Sequence, residues 1–439
     1  MPRILIIPSD HGGGKGHVSR SLYLGRACRQ LGHPVAIVLE EKHFAEGPEN
    51  GLQTYLLDTR RERWQKYQLR PPFRPGVRLK TRVLKRPVFV EFDGLAYQVP
   101  RDGYISRKIL DLRLAQLEAV VAEFRPDILI GDTHFLTHYL GRRYDLPVVQ
   151  VTRLAGFPPG PDFMWWKSSD ARLIAPDGVA PFAALLAEAG LSGYERAEDL
   201  LRGDRYLIPA VPDVEPVPAS DAPVQFTGPL ARPISGAGEP IETFHQGNAR
   251  HPRVYVSVGG GAARAQETAF FEAVLAAFHQ QPYRVLVSTG RRVPASRFNG
   301  RSANVHFADW VQGTAAIEQS DLVIYHGGYG TTMEVLLAGK PAVVIPSHSE
   351  QEGNGRRLTS LGLGRTLLLH SRPLRDLDFA WPYGRYRMLA GFEFTLQSNE
   401  LLKEAETALA EYRRDRGEAV AAGLRKAQAE WDLETALRF

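Results

Sequence analysis

The chain has one cysteine, Cys28, in 439 residues. A lone cysteine excludes an internal disulfide and any cysteine-rich zinc module, and it suits a reducing compartment. No apolar run approaches the roughly 18 residues that a membrane-spanning helix needs. The N-terminus offers only Ile4 to Ile7 before Ser9-Asp10-His11 and a set of glycines. That reads as a buried first strand, not a signal peptide. Charge of one sign is also scarce, with 54 basic residues against 49 acidic ones. So mild an excess suits an anionic small ligand or a membrane surface and gives no support to nucleic-acid binding. No internal repeat at solenoid period is visible. What is present is ordinary: 44% hydrophobic and 23% charged residues, in a length that predicts two to three domains. A soluble, cytoplasmic, two-domain protein is expected.

The chain alternates strands and helices, twice over. Arg3-Ile-Leu-Ile-Ile7 reads as a strand buried on both faces, and the turn His11 to His17 is rich in glycine. A helix follows, with Val18 and Leu22 on one side, stopped by Gly32 and Pro34. Val35 to Leu39, Asp127 to Gly131 and Val148 to Val151 are further strands, and Leu110 to Phe124 has helical spacing. From 209 to 253 the texture changes to prolines and glycines, which predicts an interdomain stretch. Alternation then restarts with Val254 to Val258, Gly259-Gly260-Gly261, a helix near 266–280 and strands at Arg284–Ser288, Leu322–Tyr325 and Ala342–Ile345. The last forty residues read as helical. The pattern predicts two doubly wound parallel sheets facing across a cleft, with ligands at the C-terminal strand ends. The expected divisions are 1–225, 226–400 and a helical tail, 401–439, whose last helix crosses back to the first domain. Residues 59–105 form an insertion. Its stretch from Thr59 to Arg86 carries eleven lysines and arginines against the single acid Glu62, with Trp64, Tyr67 and Phe73. It reads as a solvated loop or, through 60–86, as a peripheral membrane contact.

The densest chemical signal runs from Trp310 to Asn354. A strand ends at Tyr325, glycines 327, 328 and 330 let the backbone turn, and a helix is expected from about Thr331. The free N–H groups and dipole of such a helix form an anion site suited to a diphosphate. His326 and the Thr331 hydroxyl can add donors. Glu334 shares a helix face with Thr331, and a carboxylate there can accept from both hydroxyls of a ribose. Trp310 offers a stacking face for a nucleobase. Glu350 and Gln351 open the next helix, able to meet sugar hydroxyls.

These residues resemble the donor signature of the inverting GT-B glycosyltransferases of the UDP-glycosyltransferase type. Its elements are Trp-x-x-Gln (Trp310, Gln312 with its spacing shortened), His-x-Gly-x-x-Thr-x-x-Glu (His326, Gly328, Thr331, Glu334), Gly-x-Pro (Gly339 to Pro341) and an acidic-Gln pair (Glu350, Gln351) followed by Asn354. The proline usual before the glutamine is Val311 here, and the usual aspartate is Glu350. The resemblance implies a GT-B fold, a UDP-sugar or dTDP-sugar donor, no metal or other cofactor, and diphosphate contact by the loop at Gly260. It further implies that His17, after Gly16, is the general base and that Asp132 pairs with it. A histidine with an ordinary pKa near ~6.5 can take a proton from an acceptor hydroxyl at neutral pH. The run from His11 to His17 is also similar, over a dozen residues, to peptidoglycan-precursor N-acetylglucosaminyltransferases, which keeps a lipid acceptor open beside a small molecule.

Other groups weigh less. His134 and His138, four apart, could ligate a metal only with a third partner, and lining of the acceptor pocket is the better reading. The cluster Phe163 to Trp166 reads equally as an acceptor platform and as core. Two alternatives stay open: a nucleotide-sugar hydrolase or 2-epimerase of the same fold, and a silent nucleotide-sugar-binding protein.

Overall fold

The computed structural model describes residues 1–9, 15–62, 87–160, 166–231, 241, 244, 248–258, 267–370 and 373–439. The basic segment from 63 to 86, Gly260 with the rest of its loop, and Phe163 to Trp165 lie outside the described residues.

Short runs of β-branched and aliphatic residues, buried on both faces, build two parallel sheets. In the first half these are β1 (Ile4–Pro8), β2 (Val35–Glu40), β3 (Gln53–Leu57), β5 (Ile128–Asp132), β6 (Val148–Val151), β7 (Arg205–Ile208) and β8 (Val224–Phe226). Their order, β3-β2-β1-β5-β6-β7-β8, reverses direction at β1. The second half holds β9 (Arg253–Ser257), β10 (Arg284–Ser288), β11 (Val305–Ala308), β12 (Leu322–Tyr325), β13 (Ala342–Val344) and β14 (Gly364–Thr366), ordered β11-β10-β9-β12-β13-β14. Both are Rossmann-like, and the pair is a GT-B architecture. The stretch read as a proline-rich linker thus contributes β8, a three-residue strand, to the first sheet.

The helices that cover these sheets include α1 (Lys15–Gln30), α2 (Arg107–Phe124), α3 (Thr137–Tyr144), α4 (Glu267–Phe278), α5 (Gly313–Gln319), α6 (Tyr329–Leu337), α7 (Ser349–Ser360), α8 (Ser398–Ala410) and α9 (Arg414–Glu430), with a last turn, α10 (Leu433–Ala436). The Ser106 hydroxyl caps α2 by accepting from the Ile109 N–H, and Pro126 follows its end. Helix α9 packs its Val420 and Leu424 into a core that also holds Phe157, Tyr206 and Ile208 from the first half and Tyr325 and Met333 from the second. That core runs unbroken across the two halves. Leu433, Ala436 and Leu437 then insert beside Ile4, Leu22 and Leu207 in the first half.

A third sheet was not anticipated. β15 (Arg375–Trp381) and β16 (Gly384–Gly391) form an antiparallel hairpin in the second half, and β16 pairs with β4 (Phe89–Glu91) from the first. Its signal was the alternation of Asp376 and Asp378 with Leu377, Phe379 and Trp381, then a Pro-Tyr-Gly turn. Tyr386 stacks on Phe379 and meets Tyr97 edge-on, while Trp381 packs against the first-half core. The Tyr97 hydroxyl donates to the Ile174 and Arg387 carbonyls. Among the described residues no helix is long and apolar enough to cross a membrane.

Candidate active site

β5 ends at Asp132, whose carboxylate is buried with its side chain 1% exposed. The next residue, Thr133, has φ +53°, an unusual conformation for a β-branched residue and one that clusters at functional sites. His17 stands in the first turn of α1, and its Nδ1 lies 2.8 Å from Asp132 Oδ1. One turn on, Arg20 donates to both carboxylate oxygens, at 2.6 and 3.1 Å. Burial raises the Asp132 pKa, yet the charges of Arg20 and His17 and their hydrogen bonds outweigh it and hold the carboxyl below its usual range. Arg20 Nη2 also lies 3.0 Å from His17 Nδ1, so that one ring nitrogen faces both the carboxylate and the guanidinium.

Across the cleft, β12 ends at Tyr325 and the backbone turns at Gly327, φ +84°. A Cβ at Gly327 would meet the Gln351 carbonyl oxygen at 2.6 Å, so that position requires glycine, whereas one at Gly328 would meet only the side chain of His326. Helix α6 starts at Tyr329, two residues before the expected Thr331, because Gly328 already serves as its N-cap. Thr331 therefore lies inside the first turn, whose leading N–H groups have no partner within the helix. Glu334 is one turn further. Among the described residues its carboxylate accepts one long hydrogen bond, from the Thr314 hydroxyl at 3.5 Å, and burial pushes its pKa up. Trp310, after β11, is 61% exposed, an aromatic face left open. Gln312 is the backbone N-cap of α5.

Helix α7 brings Glu350, Gln351 and Asn354 to the same place. Gln351 is buried, and its Oε1 accepts from the Ser347 N–H and hydroxyl at 2.9 and 3.0 Å. Asn354 is committed at both ends: Nδ2 donates to the Gly327 carbonyl at 2.8 Å and Oδ1 accepts from Arg153 at 2.7 Å. Of the three, Glu350 is the most open, though Arg153 holds one of its oxygens.

The comparisons agree with this fold. Residues 254–378 match the glycosyltransferase family 28 C-terminal domain. A PGL/p-HBAD biosynthesis glycosyltransferase of Mycobacterium tuberculosis is 25% identical over 317 residues, 68% of this chain and 71% of its own. The oleandomycin glycosyltransferase of Streptomyces antibioticus is 26% identical over 58% of this chain and 59% of its own. Among solved structures, the calicheamicin glycosyltransferase CalG4 superposes with TM-score 0.68 at 18% identity, covering all of this chain and 98% of that one. The spinosyn rhamnosyltransferase SpnG, solved with thymidine diphosphate, gives 0.62 at 19%, over 99% of this chain and 100% of that one. The chain is a glycosyltransferase of the GT-B fold.

Two arginines of this glycosyltransferase escaped the sequence reading. Arg20 carried a signal, since it lies one turn from His17 on the same helix. Arg153 carried none, because nothing near β6 announces what its side chain reaches. Lys167 was missed for the same reason; it bridges Glu91 of β4 at 2.9 Å and Glu352 of α7 at 3.3 Å. His134 and His138 are placed otherwise than expected. His134 precedes α3 and pairs with Thr137, while His138 pairs with Tyr194, and both are almost wholly buried. Neither presents a ring to a ligand, and burial takes the His138 pKa down to about 4. No group of three His, Cys, Asp or Glu among the described residues is arranged to hold a metal.

Proposed function

We propose that the enzyme moves a sugar, with inversion, from a UDP-sugar or dTDP-sugar to a hydroxyl of a small-molecule or lipid acceptor. The observation that carries this is the His17–Asp132 pair at 2.8 Å, set at the strand ends facing a helix N-terminus and an under-bonded carboxylate in the other half.

In this reading the nucleobase stacks on Trp310 and the ribose hydroxyls donate to Glu334. The diphosphate sits at the Gly327–Thr331 turn, beside His326. The sugar faces Glu350 and Gln351. His17 Nε2 takes the acceptor proton as the acceptor oxygen attacks the anomeric carbon. The bond from that carbon to the diphosphate oxygen breaks in the same step, from the opposite face. Charge growing on the departing diphosphate meets the N–H groups of α6, a preformed stabilisation that needs no metal. The choice between uridine and thymidine rests on the resemblance, and the complex of SpnG with thymidine diphosphate supports including the latter.

The test is calorimetric titration with UDP, dTDP, GDP and ADP, followed by His17→Ala. Selective uridine or thymidine binding is expected, unchanged by chelator. His17→Ala should cut transfer by about 10²–10⁴-fold while nucleotide affinity holds. Loss of nucleotide affinity instead would remove His17 from the base role, and a product of retained anomeric configuration would exclude direct displacement.

A further inference from the structure

Arg153 follows β6 in the first half, yet its guanidinium ends among residues of the second. Nη1 lies 3.2 Å from Glu350 Oε1, Nη2 donates to Asn354 Oδ1 at 2.7 Å, and Cζ stands 3.7 Å over the Tyr329 ring. The third nitrogen, Nε, donates to Glu215 Oε1 at 2.9 Å. Glu215 is itself buried, and its other oxygen accepts from the Leu154 N–H at 3.0 Å. The arginine is therefore braced from its own half before it reaches across.

We propose that Arg153 is a positioning residue that fixes Glu350 and the glycine turn in one relative arrangement, and so determines which donor sugar is accepted. It rests on the reading above, in which Glu350 meets that sugar. Each contact has a consequence. Asn354 passes the position of Arg153 on to the Gly327 carbonyl, and Tyr329 is the first residue of the diphosphate-facing helix. The planar fork of arginine makes these bonds at fixed angles, which a lysine cannot copy. With Oε1 of Glu350 held, Oε2 is left to the substrate.

Charge works in the same direction. The groups facing Glu350 are Arg153, His348, Arg101 of the short helix 98–101 and His17 of α1. Burial raises the Glu350 pKa, but Arg153 first and then the other three outweigh it, so the carboxyl is held below its usual range. An ionised carboxylate only accepts hydrogen bonds, and a fixed one accepts them from one direction. A sugar whose hydroxyl points elsewhere leaves the second oxygen of Glu350 without that bond, a mismatch that discriminates between sugars.

The experiment measures wild type, Arg153→Met and Arg153→Lys by calorimetry against UDP and dTDP, bare and as their glucose and galactose conjugates. For both variants the bare diphosphate affinity should fall less than that of the sugar conjugates, while the preference between the two sugars falls at least about tenfold. Lysine should not restore it. Removing Arg153 also lets the Glu350 pKa rise, so the sugar-dependent part of binding should be lost at a higher pH on acidification than in wild type. An unchanged preference overturns the proposal, as does equal loss of affinity for the bare and sugar-bearing nucleotides, or a wild type with no preference between the sugars. Should Arg153→Met fail to fold, Glu215→Gln loosens the brace at constant volume; a smaller fall in preference is expected, and none overturns the proposal. Wild type that binds neither UDP nor dTDP defeats the donor reading and this inference with it. Wild type that binds, with variants of unaltered preference, defeats this inference alone.

Discussion

Asp132 is a buried carboxylate of the first half and Glu334 a half-buried one of the second, and they are treated oppositely. Asp132 is saturated: His17 and Arg20 together direct three short contacts at it, and its pKa falls despite burial. Glu334 has one long hydrogen bond from Thr314, and its pKa rises. A saturated carboxylate has finished its work within the protein and holds another side chain in place. A half-buried carboxylate left short of partners is a liability for folding that a ligand's hydroxyls could relieve. On the proposed reading, the difference separates a residue that positions from one that binds.

The largest effect should come from breaking the saturated member. Asp132→Ala leaves Arg20 buried without its partner and should lower stability by about 3–5 kcal/mol, read by denaturant unfolding. It should also abolish transfer, since His17 loses the group that sets its tautomer. A variant that unfolds like wild type would mean that Arg20 finds water or another partner.

Glu334→Ala should do the reverse. Nucleotide affinity should drop by about 1–3 kcal/mol in titration, while the melting temperature holds or rises because a poorly solvated charge is gone. A lower melting temperature with unchanged affinity would remove Glu334 from ligand binding. Trp310→Ala is milder, about 1 kcal/mol of nucleotide affinity, with no change in unfolding because the indole is largely exposed.

The smallest effect, and the sharpest comparison, is in pH. The depressed Asp132 contributes stability that is present above the ordinary aspartate pKa and is lost as pH falls through its lower folded value. The raised Glu334 instead carries a penalty at neutral pH, relieved as pH falls through its higher folded value. Nucleotide affinity should therefore decline on acidification while the fold is still intact, within the interval between the two carboxyls. Affinity and stability falling together would erase the distinction drawn between them.

Much of the fold was legible because it is local. Strands such as Ile4–Pro8 and Ile128–Asp132 are buried on both faces, and a parallel sheet leaves no polar alternation to misread. The glycine turn was legible because Gly327 can have no side chain. The start of α6 was misplaced by two residues because an N-cap glycine resembles the turn before it. What escaped was contact over distance: Arg153 and Glu350 are 197 residues apart, and Lys167 and Glu352 are 185 apart. No periodicity encodes a pairing of that separation. The hairpin β15–β16 was overlooked, not hidden, since its alternation and turn are plain in the sequence.

That hairpin also bears on how such enzymes could be recombined. The second half lends β16 to β4 of the first, and α10 returns to fill the first-half core beside Ile4 and Leu22. A chimera joined in the proline-rich stretch would inherit a foreign strand edge for Phe89–Glu91 and a foreign plug for that core. The two halves of this protein are therefore not interchangeable cassettes: a working graft must carry the hairpin and the terminal turn along with the half that receives them.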